Sequence, residues 1–239
     1  MKSSLFRSLW SLHLITPRGF IRLLRCFLHE GITMMAAVRF AARYHAHECA
    51  VVSDNQRIDY QVFYAFAKKL SYVLYHEYQL RSGQHVALFC RNHLVSALLL
   101  PALSRLGVNV KLLNTDLSNE QLLQLMSRPF ALFIYDKELL QVENIDISCP
   151  QVSCESLLET IKEQLLTDNV VLPYITRGGN ISVMTGGSSG NYKEAARQTG
   201  IVQFLPPFFS LLRDLHIDSY RSVLIGLPFY HGFGLATLI

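Results

Sequence analysis

Apolar runs and amphipathic stretches alternate between residues 85 and 135, and this alternation restricts the chain to one class of fold. Buried strands are predicted at 85–90, 108–113 and 131–135, with helices at 94–106 and 119–126 between them. Gly107 closes the first helix, and Ser118 forms a capping box with Gln121 for the second. Parallel strands joined by right-handed helical crossovers account for this order. We therefore predict an α/β fold rich in βαβ units.

The flanking segments predict further elements of the same α/β pattern. Before the alternating block, we predict a strand at 50–52, a turn at 54–56 and a helix with Asp59 as its N-cap. After it, we predict a helix at 155–166, a strand that begins at Ile181, a helix at 201–215 and a strand at 222–227. All of these elements fit one domain from residue 41 to residue 239.

A loop rich in glycine and hydroxyl side chains follows the strand predicted at Ile181. It comprises Thr185, Gly186, Gly187, Ser188, Ser189 and Gly190, and Lys193 lies just beyond it. Glycines let a backbone approach a ligand closely, and successive backbone N–H groups can surround an anion. With the hydroxyls and the lysine, this composition suits a polyphosphate, although an ordinary solvated turn could have it too. The loop is not a Walker-type P-loop, because two residues separate the last glycine from the lysine.

A second candidate site follows the strand predicted at 222–227. The sequence from 227 to 234 reads Leu-Pro-Phe-Tyr-His-Gly-Phe-Gly, and its candidate pocket residues are Tyr230, His231, Gly232 and Gly234. A histidine just beyond the carboxyl end of a strand lies where open α/β sheets bind ligands, and it can donate a hydrogen bond to a carboxylate. Taken alone, a histidine in an ordinary turn is the simpler interpretation.

Both stretches resemble signatures of the AMP-forming adenylating enzymes, the superfamily of acyl-CoA synthetases and ligases. The residues from Thr185 to Gly190, together with Lys193, match the phosphate loop of that superfamily, while Tyr192 stands where proline is usual. The matches to its second signature are Leu227, Pro228, His231 and Gly234. Looser matches at 59–63, 83–87 and 106–114 precede both signatures in the order usual for the superfamily.

The resemblance implies a fold, a reaction and a set of site residues. A carboxylic acid, a fatty acid by preference, would attack the α-phosphate of ATP, and coenzyme A would then displace AMP from the acyl-adenylate. The loop residues named above would bind the ATP phosphates together with Mg²⁺. His231 would border the acyl-adenylate pocket as the catalytic residue, beside Tyr230, with Gly232 and Gly234 making room. ATP, Mg²⁺ and coenzyme A are thus the expected cofactors.

Several later segments of such enzymes have no counterpart in this sequence. These are the Tyr-Gly-x-Thr-Glu segment for adenine and magnesium, the ribose aspartate, the hinge and the C-terminal lid domain. We therefore expect residues 41–239 to form an incomplete N-terminal AMP-binding domain, without a magnesium ligand and inactive alone. Two alternatives remain open: a nucleotide- or acyl-binding module that needs a second chain, and a non-functional remnant with exposed sheet edges.

Residues 1–40 form a basic amphipathic leader, in which Glu30 is the sole acidic residue. Its basic residues are Lys2, Arg7, Arg18, Arg22, Arg25 and Arg39. A helix is predicted to begin at Thr16–Pro17, because proline suits the first helical position. The apolar face of the leader could lie on an anionic membrane surface through residues 1–30, or it could pack on the rest of the protein. Both interpretations are retained.

Composition excludes several other classes of protein. Half of the 239 residues are hydrophobic and the net charge is only +4, which favours a globular core over disorder or nucleic-acid binding. The cysteines are Cys26, Cys49, Cys90, Cys149 and Cys154. Because they are odd in number and widely spaced, we predict neither a disulfide framework nor a metal site, and we expect a cytoplasmic protein. No apolar run reaches the length of a membrane span.

Overall fold

The computed structural model describes residues 16–53, 56–139, 147–163, 171–185 and 193–197, with shorter stretches at 9–10, 209–210, 214, 220, 222–231 and 234–235. The main helices of these ranges are α1 (Pro17–Glu30), α2 (Met34–Tyr44), α3 (Tyr60–His76), α4 (Leu94–Arg105), α5 (Asn119–Met126) and α6 (Cys154–Glu163). The strands are β1 (Cys49–Ser53), β2 (Gln56–Asp59), β3 (His85–Phe89), β4 (Asn109–Leu112), β5 (Leu132–Tyr135), β6 (Gln151–Ser153), β7 (Ile181–Thr185) and β8 (Lys193–Arg197).

The main sheet has the order β6-β5-β3-β4-β7-β8. Its first five strands are parallel to one another, and β8 pairs antiparallel with β7 at the edge. Strands β1 and β2 form a separate antiparallel pair. The chain passes from β3 to its neighbour β4 and then returns across β3 to reach β5, which requires helical crossovers. The α/β fold predicted from the alternation of apolar runs is therefore confirmed.

The central strand β3 is buried on both faces of the sheet. Val86 and Leu88 belong to the core on one face, where α2, α3, α4 and α6 pack. Ala87 and Phe89 point to the opposite face and pack with residues of α5. Every residue of α4 is buried, which explains why this helix is apolar all round rather than amphipathic.

Three of the predicted helix starts carry the expected caps. The Asp59 carboxylate accepts from the Val62 amide at 2.8 Å, and the Thr16 hydroxyl accepts from the Gly19 amide at 3.1 Å. The capping box before α5 is present, since Ser118 and Gln121 exchange side-chain-to-backbone hydrogen bonds. At the end of α4, Gly107 has φ +70°, and a Cβ there would lie 2.6 Å from the Ser82 hydroxyl oxygen.

One sequence prediction is wrong. The segment 222–227 is not a strand: its residues pair with no strand in the described part of the chain, and Leu224 is 95% exposed. An apolar run needs a neighbouring ladder to satisfy its backbone groups, and none of the described strands reaches this segment. Gln56, predicted as the last residue of a turn, also begins β2 and pairs with Ser53 of β1, while Asp54 and Asn55 lie outside the described residues. The helix predicted at 201–215 lies outside the described residues, apart from helical positions at 209, 210 and 214.

One side of α1 packs against α2, whose first residues also belong to the leader. Leu23 and Phe27 pack with Cys26, Phe40 and neighbouring residues of α2. A different set of apolar residues on α1 is exposed: Phe20, Ile21, Leu24 and Leu28. The apolar residues of α1 are thus divided between packing and solvent. Among the helices that the structure describes, none combines the length and apolarity required to cross a bilayer.

Candidate functional site

A crevice lies at the carboxyl ends of β3 and β4. The helix after β3, α4, packs on one face of the sheet, while the helix after β4, α5, packs on the other. The two connections therefore diverge and leave the strand ends uncovered between them. In open α/β sheets, ligands bind at this kind of divergence.

The segment 227–231, predicted to carry the second motif, covers this crevice. Phe229 and Tyr230 are 9% and 7% exposed, and both belong to the core cluster that includes Leu88 of β3 and Leu112 of β4. The Thr115 hydroxyl, just beyond β4, lies 3.1 Å from the Tyr230 hydroxyl and donates to it. Burial of the two aromatic rings thus fixes this segment against the ends of both strands.

Asn92 attaches the same segment to the end of β3. Its side-chain amide donates to the Leu227 carbonyl at 2.8 Å, and its side-chain carbonyl accepts from the Phe229 amide at 2.9 Å. The asparagine thus mimics a neighbouring strand and satisfies backbone groups on both sides of Pro228. The sequence prediction did not single out Asn92, although its place directly after an apolar run was a usable signal.

The chain turns sharply after Pro228. The His231 amide donates to the Pro228 carbonyl at 2.9 Å, and the Leu235 amide donates to the His231 carbonyl at 3.1 Å. A Cβ on Gly234 would lie 2.2 Å from the Pro228 carbonyl oxygen, so this turn requires glycine there. His231 is exposed, and its ring centroid lies 4.8 Å from that of Tyr230.

The glycine-rich loop connects β7 to β8. Thr185 and Lys193 face each other as Cα partners where the two strands meet the loop. Because β7 is parallel to β4, this end of the hairpin lies at the same edge of the sheet as the crevice. Gly186, Gly187, Ser188, Ser189 and Gly190 lie outside the described residues, and so does Gly232. The end of β7 where the loop begins therefore lies beside the end of β4, and Tyr230 packs against that same end of β4.

Solved structures share this arrangement of strands and helices. The chain superimposes on o-succinylbenzoate CoA synthetase (MenE) from Bacillus subtilis in complex with the acyl-adenylate OSB-AMP, with a TM-score of 0.65 and 19% identity over 84% of this chain. It also superimposes on the N-terminal domain of FACL13 from Mycobacterium tuberculosis, with a TM-score of 0.67 and 18% identity over 86% of this chain. No family model and no curated protein matches the sequence.

The chain has the fold of the N-terminal part of an adenylate-forming acyl-CoA synthetase. It covers 51% of the MenE chain and 54% of the FACL13 domain, and hence spans about half the length of the structures that it matches. This likeness confirms the resemblance that the two motifs and their order predicted, and it confirms the predicted fold class. A MenE structure in complex with ATP and magnesium also matches, with a TM-score of 0.61 and 20% identity over 84% of this chain and 53% of that one.

A second cleft of the synthetase fold lies at the carboxyl ends of β3, β5 and β6. It has a volume of about 410 Å³, and its lining includes Arg91, His93, Asp136, Cys154 and Glu155. Asp136 directly follows β5, Cys154 directly follows β6, and Arg91 lies two positions beyond β3. The sequence prediction overlooked this cleft because its polar residues are spread over more than sixty positions and form no compact motif.

The Asp136 carboxylate accepts hydrogen bonds at both of its oxygens in this cleft. The His93 Nε2–H donates to Asp136 Oδ1 at 2.8 Å, and the Arg91 amide donates to Oδ2 at 2.7 Å. Burial raises the pKa of Asp136, but these hydrogen bonds outweigh it and hold the pKa below its ordinary value. The carboxylate is therefore charged at neutral pH.

His93 also caps helix α4. Its Nδ1 accepts from the amides of Val95 and Ser96 at 3.1 and 3.3 Å, and the Ser96 hydroxyl returns a hydrogen bond to the backbone of His93. Because Nδ1 must be an acceptor in this geometry, the proton of the neutral ring is assigned to Nε2, which faces Asp136. The ring thus links the start of α4 to the end of β5.

Proposed function

We propose that this chain supplies the phosphate-binding and acid-binding part of an ATP-dependent acid–thiol ligase of the acyl-CoA synthetase type. The observation that carries the proposal is that the β7–β8 loop and segment 227–231 open at one edge of one sheet. A nucleoside triphosphate bound at the loop and a carboxylate beside His231 would then be neighbours, as an adenylation reaction requires.

In this reaction a carboxylate oxygen bonds to the α-phosphorus of ATP while the bond to pyrophosphate breaks. The loop amides, the hydroxyls of Thr185, Ser188 and Ser189, and the Lys193 ammonium would neutralise the charge of the departing pyrophosphate. His231 would donate a hydrogen bond to the acid or to the acyl-adenylate. A thiol, coenzyme A by resemblance, then takes the acyl group and releases AMP.

Magnesium is the remaining requirement of such a reaction. Mg²⁺ takes oxygen ligands and is commonly held by one or two carboxylates together with substrate phosphates. Segment 227–231 contains no carboxylate, and neither does the loop from 185 to 193. These residues therefore do not fit a protein-held magnesium site.

Nucleotide binding tests the proposal directly. We expect isothermal titration to show ATP binding to the wild-type chain, and Lys193→Ala to weaken it about tenfold to a hundredfold, the loss typical of a charge-assisted hydrogen bond. Lys162→Ala is the matched control, because Lys162 is an exposed lysine of α6, distant in sequence from the loop. Absence of ATP binding, or equal binding by both variants, would contradict the proposal.

The acid side needs a separate measurement. Protection of the chain against heat by a long-chain acyl-adenylate analogue should be reduced in His231→Ala and unchanged in His47→Ala, because His47 is an exposed histidine in the turn between α2 and β1. ATP–pyrophosphate exchange that depends on added carboxylic acid would then show chemistry as well as binding. ATP binding without exchange would instead favour a binding module that needs a second chain.

For the substrate we propose a fatty acid, together with peripheral contact between α1 and an anionic membrane. Support comes from the exposed apolar residues of α1, which alternate with exposed arginines: Arg18, Arg22 and Arg25. An amphipathic helix of this kind binds anionic lipid surfaces through both features. Liposome co-sedimentation should show binding to vesicles with anionic lipid and much less to neutral ones. Phe20→Ser with Leu24→Ser should abolish it, whereas Leu123→Ser on α5 should leave it unchanged.

A further inference from the structure

Two cysteines and an aspartate meet at the carboxyl ends of three parallel strands. Cys90 directly follows β3, Asp136 follows β5, and Cys154 follows β6 as the first residue of α6. The two sulfur atoms lie 3.3 Å apart. One ligand atom from each of the three residues lies within 4.8 Å of the other two.

We propose that Cys90, Asp136 and Cys154 form a binding site for a divalent transition-metal ion of the zinc class. Thiolate sulfur and carboxylate oxygen are both zinc ligands, with bonds to zinc of about 2.0–2.3 Å. Tetrahedral coordination with bonds of this length places the ligand atoms within about 4 Å of one another. The spacing of the three groups is close to that geometry. The expectation of no metal site rested on spacing along the chain, and folding brings together sulfurs that are 64 residues apart.

The surroundings of Asp136 resemble the outer shell of a metal site. Both of its oxygens are oriented by donors, the His93 ring and the Arg91 amide, and each oxygen keeps a lone pair for a cation. Carboxylates that bind metals are themselves commonly held by hydrogen bonds from outer-shell groups. His93 itself is not a ligand in this geometry, because its Nδ1 is occupied by the amides of α4 and its Nε2 carries the proton.

The fourth position of the site faces the second cleft. Asp136 and Cys154 both line that cleft, whose volume of about 410 Å³ leaves room for water or a small ligand. Three protein ligands with one open position is the arrangement of zinc sites that bind an exogenous ligand. Binding displaces one proton from each thiol, so that two thiolates and a carboxylate face the dication.

Cobalt provides the most informative test, because Co²⁺ reports on its own ligands. Titration of the reduced wild-type chain with Co²⁺, without nucleotide, should give one equivalent of bound metal with a thiolate-to-cobalt absorption band in the near ultraviolet, and Zn²⁺ should abolish that band. Cys90→Ser and Cys154→Ser should each weaken binding by more than the roughly 10–100-fold typical of outer-shell changes. The matched controls are Cys49→Ser and Cys149→Ser, whose sulfurs lie outside the cluster.

The wild-type measurement stands even where a variant fails to fold, because the absorption band and a zinc-dependent rise in the unfolding temperature need no substitution. A wild-type chain whose five thiols titrate as reduced, yet which shows no such band, would overturn the proposal. Cobalt binding by Cys154→Ser as tight as that of the wild-type chain would also overturn it. A third contradicting outcome would be a Cys90–Cys154 disulfide in a chain that, once reduced, binds no metal. None of these assays involves ATP, so the outcome is independent of the proposed ligase function.

Discussion

The side chain of Asn92 is hydrogen-bonded to the Phe229 amide, across 137 positions of sequence. With its second bond, to the Leu227 carbonyl, this contact attaches the motif of the C-terminal region to the end of β3. The position of His231 two residues later therefore depends on a residue that belongs to neither motif. This attachment can be tested separately from the contacts of Glu30 with α2, α3 and α4.

Replacement of Asn92 by alanine should release segment 227–231 without unfolding the sheet. Loss of two partly exposed hydrogen bonds should lower the free energy of unfolding by about 1–2 kcal/mol. Hydrogen exchange of the Phe229 amide should accelerate, because its acceptor is gone. Asn119→Ala, at an exposed position of α5, should change neither quantity. Unchanged exchange at Phe229 in the Asn92 variant would show that another group holds the segment.

Gly234→Ala should destabilise the turn that carries His231. The added Cβ would lie 2.2 Å from the Pro228 carbonyl oxygen and 2.7 Å from that of Leu227, so the backbone must move. We expect a loss of about 1–3 kcal/mol by thermal or urea unfolding, as for other overpacked sites. Gly226→Ala is the matched control, since a Cβ there meets nothing within 4 Å. Equal stability of the two variants would contradict the turn geometry.

Tyr230→Phe removes the hydroxyl that accepts from Thr115 and leaves the buried ring. We expect a cost of about 0.5–1.5 kcal/mol in the free energy of unfolding. Thr115→Val should cost a similar amount, and the double variant should lose clearly less than the sum of the two. Additive losses would mean that the two hydroxyls do not interact in solution.

Acid should weaken the attachment of α1 through Glu30. The carboxylate of Glu30 is paired with Arg39 and Arg105 at 2.8 Å each and accepts from the Tyr64 hydroxyl at 2.6 Å. Burial raises the pKa of Glu30, but these partners outweigh it and lower the pKa below its ordinary value of 4.5. A lowered native pKa means that the contribution of Glu30 to stability is fully present above pH 4.5 and is lost as the pH falls through the native pKa.

Glu30→Gln should therefore be less stable than wild type by about 3 kcal/mol at pH 7, because it leaves the buried Arg105 and the partly buried Arg39 without a charged partner. In urea titrations at several pH values, this difference should stay constant above about pH 5 and shrink in more acidic solution. Glu138→Gln is the control, since its pair with Arg91 is more than 60% exposed on both sides and should contribute less than about 1 kcal/mol. A difference that does not vary with pH would contradict the assigned pairing.

The elements that the sequence predicted well are those with a local physical cause. The caps at Asp59 and Ser118 need only residues three positions apart, and the buried strands β3 and β5 lie in short apolar runs. The segment 222–227 has a similar composition and is no strand, because composition cannot say whether a neighbouring ladder exists. The same limit hid β2, whose pairing with β1 was not apparent from its own residues.

By itself, the sequence determined the α/β class, the positions of most helices and strands, and the two motifs whose order predicted an acyl-CoA synthetase fold. These depend on periodicity and on short-range chemistry, which a linear chain displays directly. Only the tertiary structure decided which strand ends are neighbours. The return of β5 and β6 to the side of β3 opposite β4 brought Cys90 to Cys154. Tertiary packing also brought Asn92 to Phe229 and Glu30 to Arg105, and no local pattern of residues records contacts between positions so far apart.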